Sequence, residues 1–534
     1  MLRNILQQIS RSYLQDDPRL FVTRRDYSGG INTRQHPNQI GENQATVLTN
    51  IDLSIPGQRV KRKGSATIGN DVGNNACKAA YGFIVQGATD QMLMIEGTTL
   101  WKKTAEAGNW ASVKADFTNT TYAKIFQIKE SGISPDDIVV VQNGTDNPFR
   151  FLSDGTAQDL GSTAGTGTDS PPKSLANAWY GNRWWILKND LLYFSDAYDS
   201  DYSSAFDTVS NVYRVPVGDE RAIVSTRNLG MIVLGQDGVW ALQPSATPAA
   251  TDQPVPIVTD EGCVAGDTAV VVADDVYYMS QSGVRALKRT EQDKVQMHSD
   301  LPISYPNKDE YDSINWAYIE KAKAVYFDNK YIIALPTGSS TTNNKVWVYF
   351  PATNGWSVID GWNVGAWFKY KVSGEERLYY ADSTNGQAYR AFTGYTDDSV
   401  AITMTEEGRE EDFQQPMLWK MGGTLEVEAM GQGGVYNIAV YASIDGGSYS
   451  QLGTLLLENL SAPTLPENVP FTLAGEEYER GSFPLDSLGR FRTIKVKLTN
   501  NNVNVGDIKV LGHNITTFDR RIPRCIRRRY GKSN

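Results

Sequence analysis

A chain of 534 residues, 40% hydrophobic and 10% aromatic, is long enough for two or three cores and too apolar for disorder over most of its length. Its formal net charge of −10 excludes a surface that grips nucleic acid by neutralising phosphates, because that mode needs a basic face. Cys77, Cys263 and Cys525 are far apart and odd in number, so they write neither a disulfide framework nor a zinc cluster, and a reducing compartment fits best.

Trp and Tyr are plentiful and long Ala/Leu/Glu/Lys runs scarce, which points to an all-β fold. At the start, Leu2, Ile5, Leu6, Ile9 and Tyr13 recur at spacings of three and four, predicting a short amphipathic helix that ends before Asp16-Asp17-Pro18. Such a helix either packs on its own domain or docks a neighbouring subunit, and Ile5, Ile9 and Tyr13 are its candidate partner contacts. No secretion-type apolar core follows Met1, and synthesis in cytosol is expected. From Tyr27 to about Gly69 the chain is polar and turn-rich, an extended arm expected to lie along its own domain or a partner. Residues 1–69 are therefore taken as helix plus arm.

Over 70–398 a short apolar-aromatic strand keeps returning at intervals of roughly forty to sixty residues, the period of a β-propeller. Its copies include Thr99-Leu100-Trp101, Pro148-Phe149-Arg150-Phe151, Leu191-Leu192-Tyr193-Phe194, Val239-Trp240-Ala241-Leu242, Gly283-Val284-Arg285-Ala286, Val346-Trp347-Val348-Tyr349 and Gln387-Ala388-Tyr389. The returns give about seven blades, with six or eight open. The aromatics Trp101, Tyr193, Trp240, Trp347 and Tyr389 are assigned to blade packing. Asn, Asp and Gly between strands, as at Asp328-Asn329, supply the positive φ that hairpins need. Two low-complexity loops, 161–168 and 244–256, interrupt the pattern; the first lacks the strand and the GK[ST] of a phosphate cradle.

After about Asp398 the period is lost, and alternating runs such as Thr424-Leu425-Glu426-Val427-Glu428-Ala429 and Thr493-Ile494-Lys495-Val496-Lys497-Leu498 predict a β-sandwich-like domain over 399–515. The tail, 516–534, is basic. Arg521, Arg524, Arg527, Arg528 and Arg529 either form a solvated run or dock an acidic partner subunit or DNA phosphates.

His36, His298 and His513 belong to no HExxH, Cys/His set or nucleophile elbow. The acidic run Ser195-Asp196-Ala197-Tyr198-Asp199-Ser200-Asp201-Tyr202 carries the most serious carboxylates, since a glycosidase needs two at a fixed separation with one kept protonated. The plainer reading is a loop whose carboxylates hold turn amides or a calcium ion. Ser153-Asp154-Gly155-Thr156 matches only part of a sialidase Asp-box, without its Trp or its repetition. No enzyme, metal or cofactor is expected.

Tyr27-Ser28-Gly29-Gly30-Ile31-Asn32-Thr33, then Pro37, Gln44, Asn50-Ile51-Asp52-Leu53 and Gly57-Gln58-Arg59-Val60-Lys61-Arg62-Lys63-Gly64, resembles the opening of the tail nozzle (tail tubular or stabilisation) proteins of short-tailed, podovirus-type bacteriophages. With the propeller and the C-terminal β domain, the resemblance extends over most of the chain. It implies a non-enzymatic virion protein of the tail, made in the host cytoplasm. The expected partners are further copies in a ring, commonly hexameric, an adaptor above it, and fibres, spikes or a tip protein. It also implies double-stranded DNA passing along the ring axis without sequence-specific binding. The rival reading is a propeller that binds or depolymerises host-surface carbohydrate.

Overall fold

The computed structural model describes residues 19–161, 169–249, 252–288, 290, 292, 301–458 and 478–519. They divide into two compact units, one within 63–399 and one joining 19–62 to 400–519. Both are built almost wholly of strands. No helix among the described residues is long and apolar enough to cross a membrane.

The 63–399 unit is a β-propeller arrangement. Its innermost strands are Cys77–Phe83, Lys124–Lys129, Ala176–Tyr180, Glu220–Thr226, Val270–Val272, Lys323–Phe327 and Val364–Val372. Each contacts the next and the last contacts the first, which closes the ring. Six of them each begin a run of four antiparallel strands within this unit, the six blades of the arrangement; the sheet of 270–286 has three strands. The fourth strand of the last sheet comes from the other end of the unit, with Ser65–Ile68 pairing Ala388–Ala391 antiparallel.

Adjacent residues explain the hairpins. Gly181-Asn182, Asn189-Asp190 and Asp328-Asn329 all have positive φ and form two-residue turns between paired residues Tyr180 and Arg183, Lys188 and Leu191, and Phe327 and Lys330. Second strands such as Gln91–Glu96, Asp137–Gln142 and Gly230–Gly235 are buried at every position, because blades cover both of their faces. The aromatics of the repeated pattern lie between blades or within them. Trp101 packs against the cluster that contains Phe368 and Tyr379, Tyr193 against the one with Trp184, and Trp240 against the one with Trp185. Trp347 meets Trp356 edge-on, and Tyr389 stacks on Tyr380 with centroids 5.0 Å apart. At the ring closure Gly82 is the residue that fits: an added Cβ would stand 1.8 Å from the Lys369 carbonyl oxygen.

The other unit holds two antiparallel sheets. One has the order Ile51–Asp52, Arg59–Lys61, Ile508–Asp519, Lys420–Gly431, Glu479–Pro484, with Arg19–Arg24 also paired to Ile508–Asp519. The second contains Val47–Thr49, Met404–Glu411, Ile494–Asn500, Tyr436–Ile444 and Ser450–Leu457 in that order. Alternating positions Leu425, Val427, Ile438, Val440, Val496, Leu498, Val510 and Ile515 are buried and make its core. The arm expected over 27–69 thus contributes residues up to 62 to this unit, while Ser65–Ile68 belongs to the propeller. The domain expected to end at 515 has a last strand, Ile508–Asp519, that runs past that bound.

Candidate functional site

Lys124 begins the inner strand of the second sheet, Lys323 that of the sheet at 323–360, and Asp267 sits in the short turn before Val270–Val272. The Lys124 Nζ lies 2.5 Å from Asp267 Oδ1, and Lys323 holds the other carboxylate oxygen. Beside them, Arg221 Nη1 is 2.9 Å from Glu320 Oε1, and the Tyr122 hydroxyl donates to Glu320 Oε2 at 3.1 Å. Lys124 and Asp267, Arg221 and Glu320, and Tyr122 and Glu320 stand on sheets that are not ring neighbours, so these contacts cross the axis, whereas Asp267 and Lys323 join adjacent sheets. Burial works to raise the Asp267 carboxyl, yet the two lysines outweigh it and hold the group well below the usual carboxylate range.

A cavity of ≈ 310 Å³ adjoins this network, lined by Cys77, Lys78, Thr120, Tyr122, Lys321, Lys323 and Asn343 among others. Lys78 is held by the Gly97 carbonyl and Asn119 Oδ1, and burial lowers its pKa. Asn343 Nδ2 donates to the Lys321 and Val364 carbonyls, while its buried Oδ1 has no hydrogen-bond partner. Burial pushes the Cys77 thiol up, away from a nucleophilic thiolate. No carboxylate lines the cavity, so it has polar binding groups but no acid pair for hydrolysis.

The acidic loop is built differently. Asp199 Oδ1 accepts the Asp201 amide at 2.7 Å, Asp201 Oδ1 accepts the Ser203 amide at 3.0 Å, and the Asp199 carbonyl accepts the Ser131 amide. Both carboxylates therefore serve as turn caps. Beneath them Glu130 is almost wholly buried and ion-paired with Arg150. Burial first, then the charges of Asp201 and Asp199, push its carboxyl up to about 7 against the pull of Arg150. Asp201 and Asp199 thus have a protonatable neighbour, but one shut away from any saccharide.

The residues that carry the nozzle resemblance meet inside the 19–62 and 400–519 unit. Tyr27, Ile31, Asn32, Asn50, Arg59, Lys61 and Arg62 are buried there. Arg59 Nε donates to Glu406 Oε2 at 2.7 Å, Nη1 donates to the Arg25 carbonyl, and its guanidinium lies 4.9 Å from the Tyr27 ring centroid. Lys61 Nζ donates to Asn500 Oδ1, and Arg62 Nε to Asn50 Oδ1. Asn50, at φ 59°, donates in turn to the Thr403 carbonyl. His513 packs beside Tyr27; burial, then Arg59 and Arg24, lowers its pKa to about 3.

Ile5, Ile9, Tyr13, Arg521, Arg524, Arg527, Arg528 and Arg529 lie outside the described residues, as do His298, Cys525 and 162–168. Among the described residues no group of three or more His, Cys, Asp or Glu could hold a metal ion. Sequence reasoning missed the axial network and the Glu130–Arg150 pair, whose members stand in separate strands or loops with no shared spacing.

No family model matches the chain, and no curated protein does. Among solved structures it is similar to a chain of the mitotic checkpoint complex, at 9% identity over 59% of this chain and 89% of that one, with a TM-score of 0.36. An exo-beta-1,3-galactanase from Phanerochaete chrysosporium aligns at 11% identity over 84% and 100%, TM-score 0.24. A luciferin-regenerating enzyme aligns at 9% over 61% and 95%, TM-score 0.31. At such values no activity, ligand or partner carries over to this chain.

Proposed function

We propose that this chain is a structural subunit of the nozzle of a short bacteriophage tail, assembling into a hexameric ring below an adaptor. The observation that carries this reading is the burial of individual residues of the signature: Tyr27, Asn50, Arg59, Lys61 and Arg62 join the two ends of the chain in one unit. A sequence signature placed there is architectural, in keeping with a family whose work is mechanical. The propeller, with the three-stranded sheet counted as a seventh blade, and the paired sheets of the other unit, taken as a β-sandwich, build the wall.

Ion pairs across the propeller axis leave the axis of the ring as the path for double-stranded DNA. A net charge of −10 suits that path, because many strong phosphate contacts would impede a moving polyanion. The basic run Arg521, Arg524, Arg527, Arg528 and Arg529 docks an acidic neighbour in the ring or the adaptor. The subunit works in the virion tail after synthesis in the host cytoplasm, and fibres, spikes or a tip protein attach beyond it.

Negative-stain images of the purified protein with and without its adaptor test the reading: closed rings are expected, and single subunits under both conditions would overturn it. Release of reducing sugar from a host polysaccharide, lost in Asp199→Asn and Asp201→Asn, would establish the depolymerase reading instead.

A further inference from the structure

The ≈ 310 Å³ cavity of the 63–399 unit lies where three innermost strands begin, at Cys77, Lys323 and Gly365. Three ammonium groups, those of Lys78, Lys321 and Lys323, belong to its lining, and among the described residues no carboxylate does. The acids beside it are engaged by other partners: Asp267 holds Lys124 and Lys323, and Glu320 holds Arg221. Glu96, whose charge reaches Lys78, accepts from the backbone and side-chain amides of Asn75. Lys78 itself donates to the Gly97 carbonyl and Asn119 Oδ1, and Lys321 to the Thr341 carbonyl. An ammonium has three donors, so these bonds to neutral oxygens leave both groups able to donate once more. A partly enclosed space lined by cations alone favours an anion.

Neutral groups narrow the choice of anion. Asn343 is 2% exposed, and its Nδ2 donates to the Lys321 and Val364 carbonyls at 2.7 and 2.8 Å, which fixes the orientation of the amide. Its Oδ1 is therefore an acceptor, and it is buried without a donor. An inorganic anion or a simple carboxylate brings no donor to this oxygen, whereas a hydroxyl group does. The Tyr122 ring and the Thr121 hydroxyl belong to the same lining and offer a flat apolar plate and a further polar contact. The volume stands at the small end of the range for ligand sites, about 300–1,000 Å³, and suits one sugar-sized molecule.

We propose that this cavity binds a small hydroxylated carboxylate of the hexuronate class, its carboxylate taken by Lys78 and Lys321 and one hydroxyl donating to Asn343 Oδ1. With no acid pair in the lining, the site binds without hydrolysing. It lies within one unit of a single chain and stands whether or not the ring reading does. The same chemistry is offered by a free sugar acid and by the end of an acidic polysaccharide.

Saturation-transfer NMR on the full-length protein tests the proposal, with D-glucuronate, a disaccharide ending in glucuronate, D-glucose and acetate as probes. Transfer to glucuronate is expected, with an affinity at least tenfold above those for glucose and acetate. Transfer to the disaccharide as well would support the site and identify the polysaccharide end as its source; transfer to glucuronate alone would support it and identify the free acid. No transfer to either uronate, or less than a tenfold preference over glucose or acetate, would overturn the proposal. Lys321→Met is expected to weaken glucuronate at least tenfold, while Lys371→Met, which removes the same charge at an exposed position outside the cavity, leaves the affinity unchanged. Equal losses in the two variants would show general charge attraction and overturn the site. Thr121→Trp, at an exposed position of the lining, decides the matter should Lys321→Met fail to fold: filling the cavity is expected to abolish transfer, and undiminished transfer would overturn the proposal.

Discussion

Arg59 and Glu406, 347 residues apart in sequence, share a 2.7 Å hydrogen bond with side chains only 1% and 2% exposed. Removing one partner strands the other charge in the core, whereas removing both leaves apolar surface to repack. Arg59→Met is therefore expected to cost about 3–5 kcal/mol, and Arg59→Met with Glu406→Leu to recover most of it. Urea unfolding of the two variants checks this; equal losses in both would show that the pair is not coupled.

His513 packs beside Tyr27 in reach of the charges of Arg59 and Arg24, neutral because burial and those charges lower its pKa to about 3. An unfolded histidine titrates near 6.5, so between about 3 and 6.5 the unfolded chain binds the extra proton. Stability in that window rises with pH, and the contribution is lost as pH falls. Denaturant midpoints from pH 4 to 7 should therefore climb more steeply in the native protein than in His513→Gln. Parallel profiles would refute the assignment.

The elements legible in the sequence are those written in neighbouring residues. Asn189-Asp190 and Asp328-Asn329 specify their hairpins locally, and runs such as Val346-Trp347-Val348-Tyr349 announce a buried strand through composition. The joining of 19–62 to 400–519 was not legible, since its strands are short and their partners lie hundreds of residues away. The same holds for Asp267, whose lysines stand 143 and 56 residues off. Asp199 and Asp201 are conspicuous because they stand two residues apart, yet their work is turn capping, a task that resembles an acid pair in sequence alone.

Glu130 should show the opposite pH behaviour to His513. Its carboxyl, pushed up to about 7 by burial and by Asp201 and Asp199, binds a proton in the fold at pH values where an unfolded glutamate, near 4.3, has lost it. That stability is full below about 4.3 and is lost as pH rises through 7. Glu130→Gln, which cannot ionise, should flatten this part of the profile, leaving the variant at least as stable as the native protein at pH 8. A variant much weaker than the native protein at pH 8 would show that the ionised pair with Arg150 is the stabilising form.

Asp267 is a carboxylate shared by Lys124 across the propeller axis and Lys323 on the adjacent sheet, with its own side chain 27% exposed and those of the lysines 33% and 11%. Asp267→Asn leaves two ammonium groups facing each other without a counter-charge. The expected loss is about 2 kcal/mol, between the surface and buried limits for an ion pair. Lys124→Met should cost less, since Lys323 still neutralises the carboxylate, and the triple change Asp267→Leu, Lys124→Met, Lys323→Met should recover stability. Because the lysines depress the carboxyl, its contribution is present above about pH 4 and disappears as acid protonates it in the fold. Urea unfolding of the propeller across pH 3 to 7 separates these effects. If Asp267→Asn matches the native protein at pH 7, the axial contacts do not hold the blades together, and the closure of the axis rests on packing between inner strands alone.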